Sequence, residues 1–217
     1  MSRTIYLDIE TCPLPVAERE FMRPTAGSVK LGNIKDPAKA AAKVNEAIAE
    51  FESGADAGLD SLQAQIAMIG FALEDGPVQQ LVGEESAILK KFWFVVSGGG
   101  FADSETEIVG HNIRFDAAML VHRSWLRGVT PSETLVRDLC KRYPAHWLDT
   151  MTRWQLGDNK AEYRSLQVLC AAFGIAVKES PVKAARFWEW WDKDREACLA
   201  YNAQDVEAVR QLWSKIK

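Results

Sequence analysis

Residues 65–82 predict a β-hairpin whose first strand is buried. Residues 65–73 (QIAMIGFAL) form an almost continuous apolar run, which is typical of a strand covered on both faces. Residues 75–77 (DGP) then turn the chain, and residues 78–82 predict the return strand. A strand of this kind needs elements above and below it, so the hairpin favours a sheet with helices packed on it.

The order of the other elements predicts a mixed five-stranded sheet. A strand over residues 4–11 precedes the hairpin, and helices alternate with short strands after it. The later strands are expected over 107–110 and 147–151, and helices over 84–96, 115–127, 165–174 and 196–216. This order predicts an α/β fold with the first three strands antiparallel, the later strands parallel to the first, and helices on both faces. With 217 residues and 47% hydrophobic content, we expect a single domain over residues 1–217.

A helical insertion is predicted at about residues 24–60, between the first strand and the hairpin. Asp36 is the expected N-cap, Pro37 the first helical residue and Gly54 the stop. One face of this helix should pack on the protein, because apolar residues recur at helical spacing: Ala41, Val44, Ile48 and Phe51. We interpret the helix as a cover for the core, and a lid beside an active site is the alternative.

Two acids near the end of the first strand should share one face of the sheet. Asp8 and Glu10 are two residues apart, and side chains alternate between the two faces of a strand. Two carboxylates held this close repel each other unless a cation lies between them. A solvated pair on a half-exposed strand is the alternative.

Two further stretches supply acids in suitable places. Asp116 falls in the first turn of the helix after the fourth strand, where an acid also simply complements the helix dipole. Tyr201 and Asp205 are four residues apart in the last helix, so they share a face. Sites in such sheets form at strand ends. We therefore expect a site at the end of the first strand.

The charge of the chain is unevenly distributed. Residues 1–110 carry 9 basic and 17 acidic side chains, and residues 111–217 carry 17 basic and 13 acidic ones. An acidic metal site and a basic half that meets phosphates would produce this asymmetry. The 4 cysteines lack metal-site spacing and indicate neither zinc nor a disulfide framework. No apolar run approaches membrane-spanning length and no signal peptide is evident, so we expect a cytoplasmic protein without a membrane partner.

Three sequence stretches together resemble the three exonuclease motifs of the DEDD superfamily of 3′–5′ exonucleases. In chain order these are LDIET (7–11), HNIRFDAAML (111–120) and YNAQD (201–205). Tyr201, four residues before the last acid, matches the Tyr-type branch, and Ala200 stands where the sister branch has a histidine. The chain is most similar to the proofreading exonuclease domains of family-B DNA polymerases and their stand-alone relatives. This resemblance implies an RNase H-like fold.

The resemblance also implies a catalytic site that holds two divalent metal ions, Mg²⁺ or Mn²⁺. Asp8, Glu10, Asp116 and Asp205 would be the metal ligands, with Asp8 bridging the two ions, and Tyr201 would position the attacking water. Glu10 and Asp205 would hold the ion that binds this water, and Asp116 would serve the other. Carboxylates are the hard oxygen ligands that these ions prefer.

Substrate contacts are expected from residues next to these acids: Ile9, Thr11, His111, Asn112 and Phe115. Core packing is an equal alternative for Phe115, and we interpret His111 as a structural hydrogen-bonding residue rather than a catalytic base. Asp149 is expected to cap or brace the structure, and a fifth acid near the site is the alternative. Five basic residues could meet phosphates or simply form a solvated face: Arg114, Lys141, Arg142, Arg153 and Arg164.

The predicted function is therefore hydrolysis of phosphodiester bonds from the 3′ end of a single-stranded nucleic acid, with DNA favoured over RNA. The products would be nucleoside 5′-monophosphates, and a replication or repair protein is a possible partner. The main alternative is a catalytically silent RNase H-like module that binds nucleic acid or a replication partner. An endonuclease of the same fold is a third interpretation, although it gives no reason for Tyr201.

Overall fold

The computed structural model describes residues 3–97, 106–156, 163–177, 180–182 and 186–217. Its centre is a five-stranded sheet in the order β3-β2-β1-β4-β5. β1 is antiparallel to β2, β2 is antiparallel to β3, and β4 and β5 run parallel to β1. The strands are β1 (Arg3–Pro13), β2 (Ala64–Leu73), β3 (Gln79–Val82), β4 (Thr106–Gly110) and β5 (Trp147–Asp149). The predicted mixed α/β sheet, with its first three strands antiparallel, is confirmed.

Helices cover both faces of this sheet, as predicted. On one face, Ile5, Leu7 and Ile9 of β1 form a buried cluster with residues of α2 and α3. On the other face, Tyr6 of β1 packs with residues of α6 and α8. The helices are α1 (Pro37–Ser53), α2 (Glu85–Ser97), α3 (Ile113–Leu126), α4 (Glu133–Leu139), α5 (Thr150–Trp154), α6 (Leu166–Ala172), α7 (Trp188–Trp191) and α8 (Arg195–Ile216). None of these helices, within the described residues, is long and apolar enough to cross a membrane.

The sequence did not predict α4, α5 and α7, and it placed the end of β5 two residues too late. Asp149 ends β5 and at once caps α5, because its side chain accepts a hydrogen bond from the Met151 amide at 2.9 Å. The capping role expected for Asp149 is thus present. A residue that both ends a strand and starts a helix leaves no loop, which hides the boundary from sequence patterns.

The predicted helix of the insertion forms as α1, with the expected caps. The Asp36 side chain accepts hydrogen bonds from the amides of Ala38 and Lys39, and Gly54 has a φ of 72° at the end of the helix. The expected apolar face is only partly buried: Phe51 is buried, Val44 and Ile48 are intermediate, and Ala41 is exposed. This face is therefore most buried at the C-terminal end of the helix.

A buried ion pair joins α2 and α3 and fixes the start of β2. Glu85 and Arg123 are both nearly inaccessible to solvent, and they pair at 2.7 Å. The Glu85 carboxylate also accepts hydrogen bonds from the Ile66 amide and from Arg127. Arg123 in turn donates to the carbonyl of Ser61, so the segment that leads into the central hairpin is tied to both helices.

Candidate active site

Three of the predicted acids lie together at the bottom of a cavity of about 360 Å³. One carboxylate oxygen each from Asp8, Glu10 and Asp205 can be chosen so that all three oxygens lie within 4.8 Å of one another. Glu10 and Asp205 are buried, and Asp8 is half-buried. This is the spacing at which one or more cations could be bound between the three groups.

The alternation of β1 explains why Asp8 and Glu10 meet α8. Even-numbered side chains of β1 face the side of the sheet on which α8 packs, as Tyr6 shows. The strand register with β2 shifts between Glu10 and Thr11, which is a bulge beside the acids. α8 then supplies Asp205 and, one turn earlier, Tyr201, so residues almost 200 positions apart come to one place.

Asp116 reaches the same cavity from the start of α3. Asn112 precedes this helix in the left-handed conformation, with a φ of 57°, and turns the chain from β4 into α3. The Asp116 side chain is buried and accepts a hydrogen bond from the Ile9 amide at 3.1 Å. Asp116 is outside the group of three oxygens but lines the same cavity. All four predicted acids are therefore brought together.

Burial raises the pKa of all four carboxylates, and neighbouring acids of the cluster raise the pKa of Asp8 and Glu10 further. Burial raises the pKa of Asp8 well above its usual range, and the charges of Glu10, Asp205 and Asp116 raise it further. Burial, with the charges of Asp205 and Asp116, does the same to the pKa of Glu10. Burial also raises the pKa of Asp116 to about 7 and that of Asp205 to about 6. Without a cation the cluster holds protons near neutral pH, and a divalent ion would replace them.

These residues fit divalent metal ions by their chemistry. The donor set is made of carboxylate oxygens, which suits Mg²⁺ and Mn²⁺ better than it suits softer metals. Perturbed carboxylates in a cavity are also a general sign of a functional site. The structure therefore brings together a cluster of acids that could bind metal ions.

Tyr201 is placed to donate a hydrogen bond in this cavity. Its ring packs in a buried cluster with Met68 and Phe187, and its hydroxyl lies near enough to the carboxylate of Asp205 to lower the pKa of that acid. Burial raises the pKa of the Tyr201 hydroxyl, and the charges of Asp205, Glu10 and Asp8 raise it further. Tyr201 therefore stays protonated at neutral pH, so it can orient another group but cannot act as a base.

Asn202 is a member of the site that sequence reasoning missed. It is fully buried, and its Nδ2 donates to Asp8 Oδ2 at 2.8 Å and to the Asp8 carbonyl at 3.2 Å. Its Oδ1 accepts a hydrogen bond from Gln80 Nε2 at 3.2 Å. Asn202 fits there only because Gly70 of β2, the partner of Asp8 in the sheet, has no side chain.

Two sequence signals could have found this contact. Gly70 interrupts an otherwise apolar strand, and a glycine inside a strand often marks the close approach of another group. Asn202 lies three residues before Asp205 on the same helix, so it shares a face with that acid.

The predicted substrate residues all line the cavity, but several are already engaged. Thr11 Oγ1 donates to the carbonyl of Gly58 at 2.7 Å, which holds the end of the insertion against β1. Both ring nitrogens of His111 are within 2.9 Å of a partner, Thr150 Oγ1 and the Arg164 carbonyl. This arrangement supports a structural role for His111.

The other predicted substrate residues also line the cavity: Ile9, Phe115 and Asn112. Ile9 is buried, and its amide holds Asp116. Phe115 is half-buried and packs against the core cluster while also facing the cavity, so both expected roles are compatible with its position. The Asn112 amide donates to Asp149 Oδ1 at 2.9 Å. The cavity is also lined by residues that the sequence did not single out: Ala55, Asp56, Gly58, Leu59, Tyr163, Ser165, Leu166, Gln167 and Trp188.

The five basic residues considered for phosphate contact do not line this cavity. Lys141 pairs with the buried Asp138 at 3.0 Å. The Arg164 carbonyl accepts a hydrogen bond from His111. Arg114, Arg142 and Arg153 line a second cavity on the β5 side of the sheet.

Comparison with known structures places the fold. The chain is similar in structure to the family B DNA polymerase from the hyperthermophilic archaeon Pyrobaculum calidifontis, with a TM-score of 0.59 and 16% sequence identity. The match covers 99% of this chain and 24% of the polymerase chain. No protein-family model matches the sequence, and no curated protein matches it. At this identity the comparison shows a shared RNase H-like α/β fold, found as part of a much longer DNA polymerase.

Proposed function

We propose that this chain is a metal-dependent 3′–5′ exonuclease that removes nucleoside 5′-monophosphates from single-stranded nucleic acid. The observation that carries the proposal is the convergence of Asp8, Glu10 and Asp205 within 4.8 Å, with Asp116 in the same cavity. Four clustered acids, three of them buried, would without a cation be held together against their mutual repulsion. The chain order of the three motifs and the position of Tyr201 resemble those of 3′–5′ exonucleases. This resemblance supports removal of nucleotides from the 3′ end.

The acids would hold two divalent ions, with Asp8 shared between them. Bound there, the ions would activate a water and stabilise the charge that develops on the phosphodiester oxygens. Glu10 and Asp205 would bind the ion next to the attacking water, and Asp116 would serve the second ion. Asn202 fixes the side chain of Asp8 through a 2.8 Å hydrogen bond, so the shared ligand is already oriented.

Tyr201 would orient the attacking water. Tyr201 lines the same cavity as Glu10 and Asp205, the proposed ligands of that ion, and its hydroxyl interacts with Asp205. Because the hydroxyl keeps its proton, its contribution is position rather than proton removal. Groups positioned in this way typically contribute about 10²–10⁴-fold to a rate.

The walls of the cavity suit a terminal nucleotide. Its volume of about 360 Å³ lies in the range of small-ligand pockets. Phe115 offers a ring for base stacking, and the Asn112 side chain lies on the same wall. The fold of a DNA polymerase neighbour makes DNA the favoured substrate over RNA, and a replication or repair protein the favoured partner.

A 5′-labelled single strand tests this proposal. In Mg²⁺ or Mn²⁺ we expect a ladder that shortens from the 3′ end, release of mononucleotides, and no reaction in excess EDTA. A circular single strand of the same sequence should resist, because an exonuclease has no end to attack. Matched DNA and RNA strands give the preference. Cleavage of the circle would contradict the exonuclease proposal and indicate an endonuclease. Binding without any cleavage would indicate a catalytically silent module that binds nucleic acid.

A further inference from the structure

A second cavity lies on the β5 side of the sheet, away from the clustered acids. It has a volume of about 650 Å³, larger than the acidic cavity. It is enclosed by the first turn of α3, the segment between α4 and β5, α5, and the end of α8. Its apolar floor and walls are formed by Ile113, Leu139, Pro144, Trp147, Leu148, Leu156 and Trp213.

Three arginines surround this apolar floor: Arg114, Arg142 and Arg153. All three are exposed. Among the described residues, none of these guanidinium groups forms an ion pair with a carboxylate. Arg153 Nε donates to the Ile216 carbonyl at 2.9 Å, and the Arg142 guanidinium lies 5.4 Å from the centre of the Tyr143 ring. Within the described part of the chain, the cavity therefore presents arginines that are not paired with an acid.

The carboxylate of Asp149, which lines this cavity, already accepts three hydrogen bonds. Its Oδ1 accepts hydrogen bonds from the amides of Asn112 and Met151, both at 2.9 Å, and its Oδ2 accepts one from Thr152 at 3.3 Å. Asp149 is thus a structural brace, and its single carboxylate stands against three arginines in the lining. An anion that entered the cavity would meet mainly positive charge.

The two cavities share a wall. We call the cavity lined by Arg114, Arg142 and Arg153 the arginine cavity. Asn112 lines the acidic cavity and Asp149 lines the arginine cavity, and a hydrogen bond joins these two residues. Likewise Phe115 and Arg114, neighbours on α3, face one cavity each. The two cavities are therefore neighbours on the protein.

We propose that the arginine cavity binds a nucleotide of the single strand, on the 5′ side of the nucleotide that is removed. Arg114 and Arg142 would bind backbone phosphates, and the exposed Tyr143 ring would stack on a base. Arginine pairs well with phosphate oxygens, and aromatic stacking accepts any base. The affinity of this cavity for a strand would therefore not depend on the sequence of the strand. The placement of the strand relative to its end depends on the proposed exonuclease function, whereas binding itself does not.

Fluorescence anisotropy with labelled single strands tests the binding in isolation. The measurement is made in EDTA, so neither cleavage nor metal-mediated binding contributes. Arg114→Gln/Arg142→Gln should weaken binding of a twelve-nucleotide strand, and the slope of log affinity against log salt should become about 1.4 smaller, since each phosphate contact on a single strand contributes about 0.7. Arg137→Gln is the matched control, because Arg137 is exposed and pairs with Glu133 on α4 outside the cavity.

A second pair of variants tests the ring. Tyr143 is 77% exposed, so Tyr143→Ser should leave the fold intact while weakening binding by about fivefold to about 150-fold. Tyr143→Phe should restore most of the affinity. Phe94→Ser is the control, because Phe94 is 76% exposed on α2 and does not line the cavity.

The outcomes separate this inference from the exonuclease proposal. An unchanged salt slope in the double variant, or equal effects of Arg137→Gln, would overturn the arginine cavity even if the protein degrades strands normally. Arginine-dependent binding by a protein that cleaves nothing would keep the cavity and overturn the exonuclease. If the protein is active, the double variant should also shrink the advantage in kcat/KM of a twelve-nucleotide strand over a dinucleotide. Parallel DNA and RNA strands show which sugar the cavity accepts.

Discussion

Replacing Gly70 with alanine should displace the side chain that orients Asp8. A Cβ at this position would lie 1.9 Å from Asn202 Oδ1, 2.7 Å from its Cγ and 3.0 Å from its Nδ2. Asn202 is fully buried, so it has no open space to move into. Overpacking of this kind costs about 1–3 kcal/mol, and a buried polar group left without a partner about 1–3 kcal/mol more. We expect Gly70→Ala to lower the free energy of unfolding by about 2–6 kcal/mol.

A double-mutant cycle in urea isolates the cause. Asn202→Ala removes all three atoms that the new Cβ would strike, at the expense of its hydrogen bonds to Asp8 and Gln80. The double variant should therefore be about as stable as Asn202→Ala alone, so the favourable coupling should equal the whole cost of Gly70→Ala measured by itself. Gly27→Ala is the control, because the nearest atom to its Cβ is 3.9 Å away. Stability of Gly70→Ala within about 0.5 kcal/mol of wild type, or simple additivity, would refute the reasoning.

Three other predictions concern the acids and the buried ion pair. Tyr201→Phe should lower turnover by about 10²–10⁴-fold while keeping metal affinity, and Asp205→Ala should lower both further; turnover within about twofold of wild type would leave Tyr201 a packing residue. Asp205→Asn should stabilise the metal-free protein increasingly as the pH rises from about 4 to about 6, because burial raises the pKa of Asp205 to about 6 and the folded state then loses a proton at a cost; a difference in melting temperature that shrinks over this range would contradict the sign. Glu85→Ala should lower the free energy of unfolding by about 3–5 kcal/mol, since it strands the buried Arg123; a urea midpoint close to wild type would show that solvent reaches this arginine.

Local patterns in the sequence predicted the sheet and most of the longer helices. β1, the hairpin and α8 follow from strand and helix periodicity, and Asp36 and Gly54 mark the ends of α1 as their chemistry requires. The candidate site could be predicted because strand and helix spacing place Asp8 with Glu10, and Tyr201 with Asp205, on shared faces, and the motif resemblance joined these pairs to Asp116. Here the pattern and the packing agree.

Long-range contacts could not be predicted in the same way. The approach of Asn202 to Gly70 depends on how closely α8 lies on β2, a distance that neither segment specifies alone. The hydrogen bond from Thr11 to Gly58 depends on how the insertion returns to the sheet. The arginine cavity joins residues from four separate segments of the chain, so its cations looked like a solvated face until the structure grouped them.

We expect the cluster of acids to be a metal-dependent catalytic centre. The most direct test measures release of labelled mononucleotide from a 3′-labelled single strand in Mg²⁺, with wild type and Asp8→Ala purified in parallel. We expect steady release by wild type, none in excess EDTA, and none above background by Asp8→Ala, which should remain folded because a repulsive carboxylate has been removed. A melting curve on the same samples establishes that the variant is folded. Release by Asp8→Ala at the wild-type rate, or by wild type in EDTA, would contradict the account.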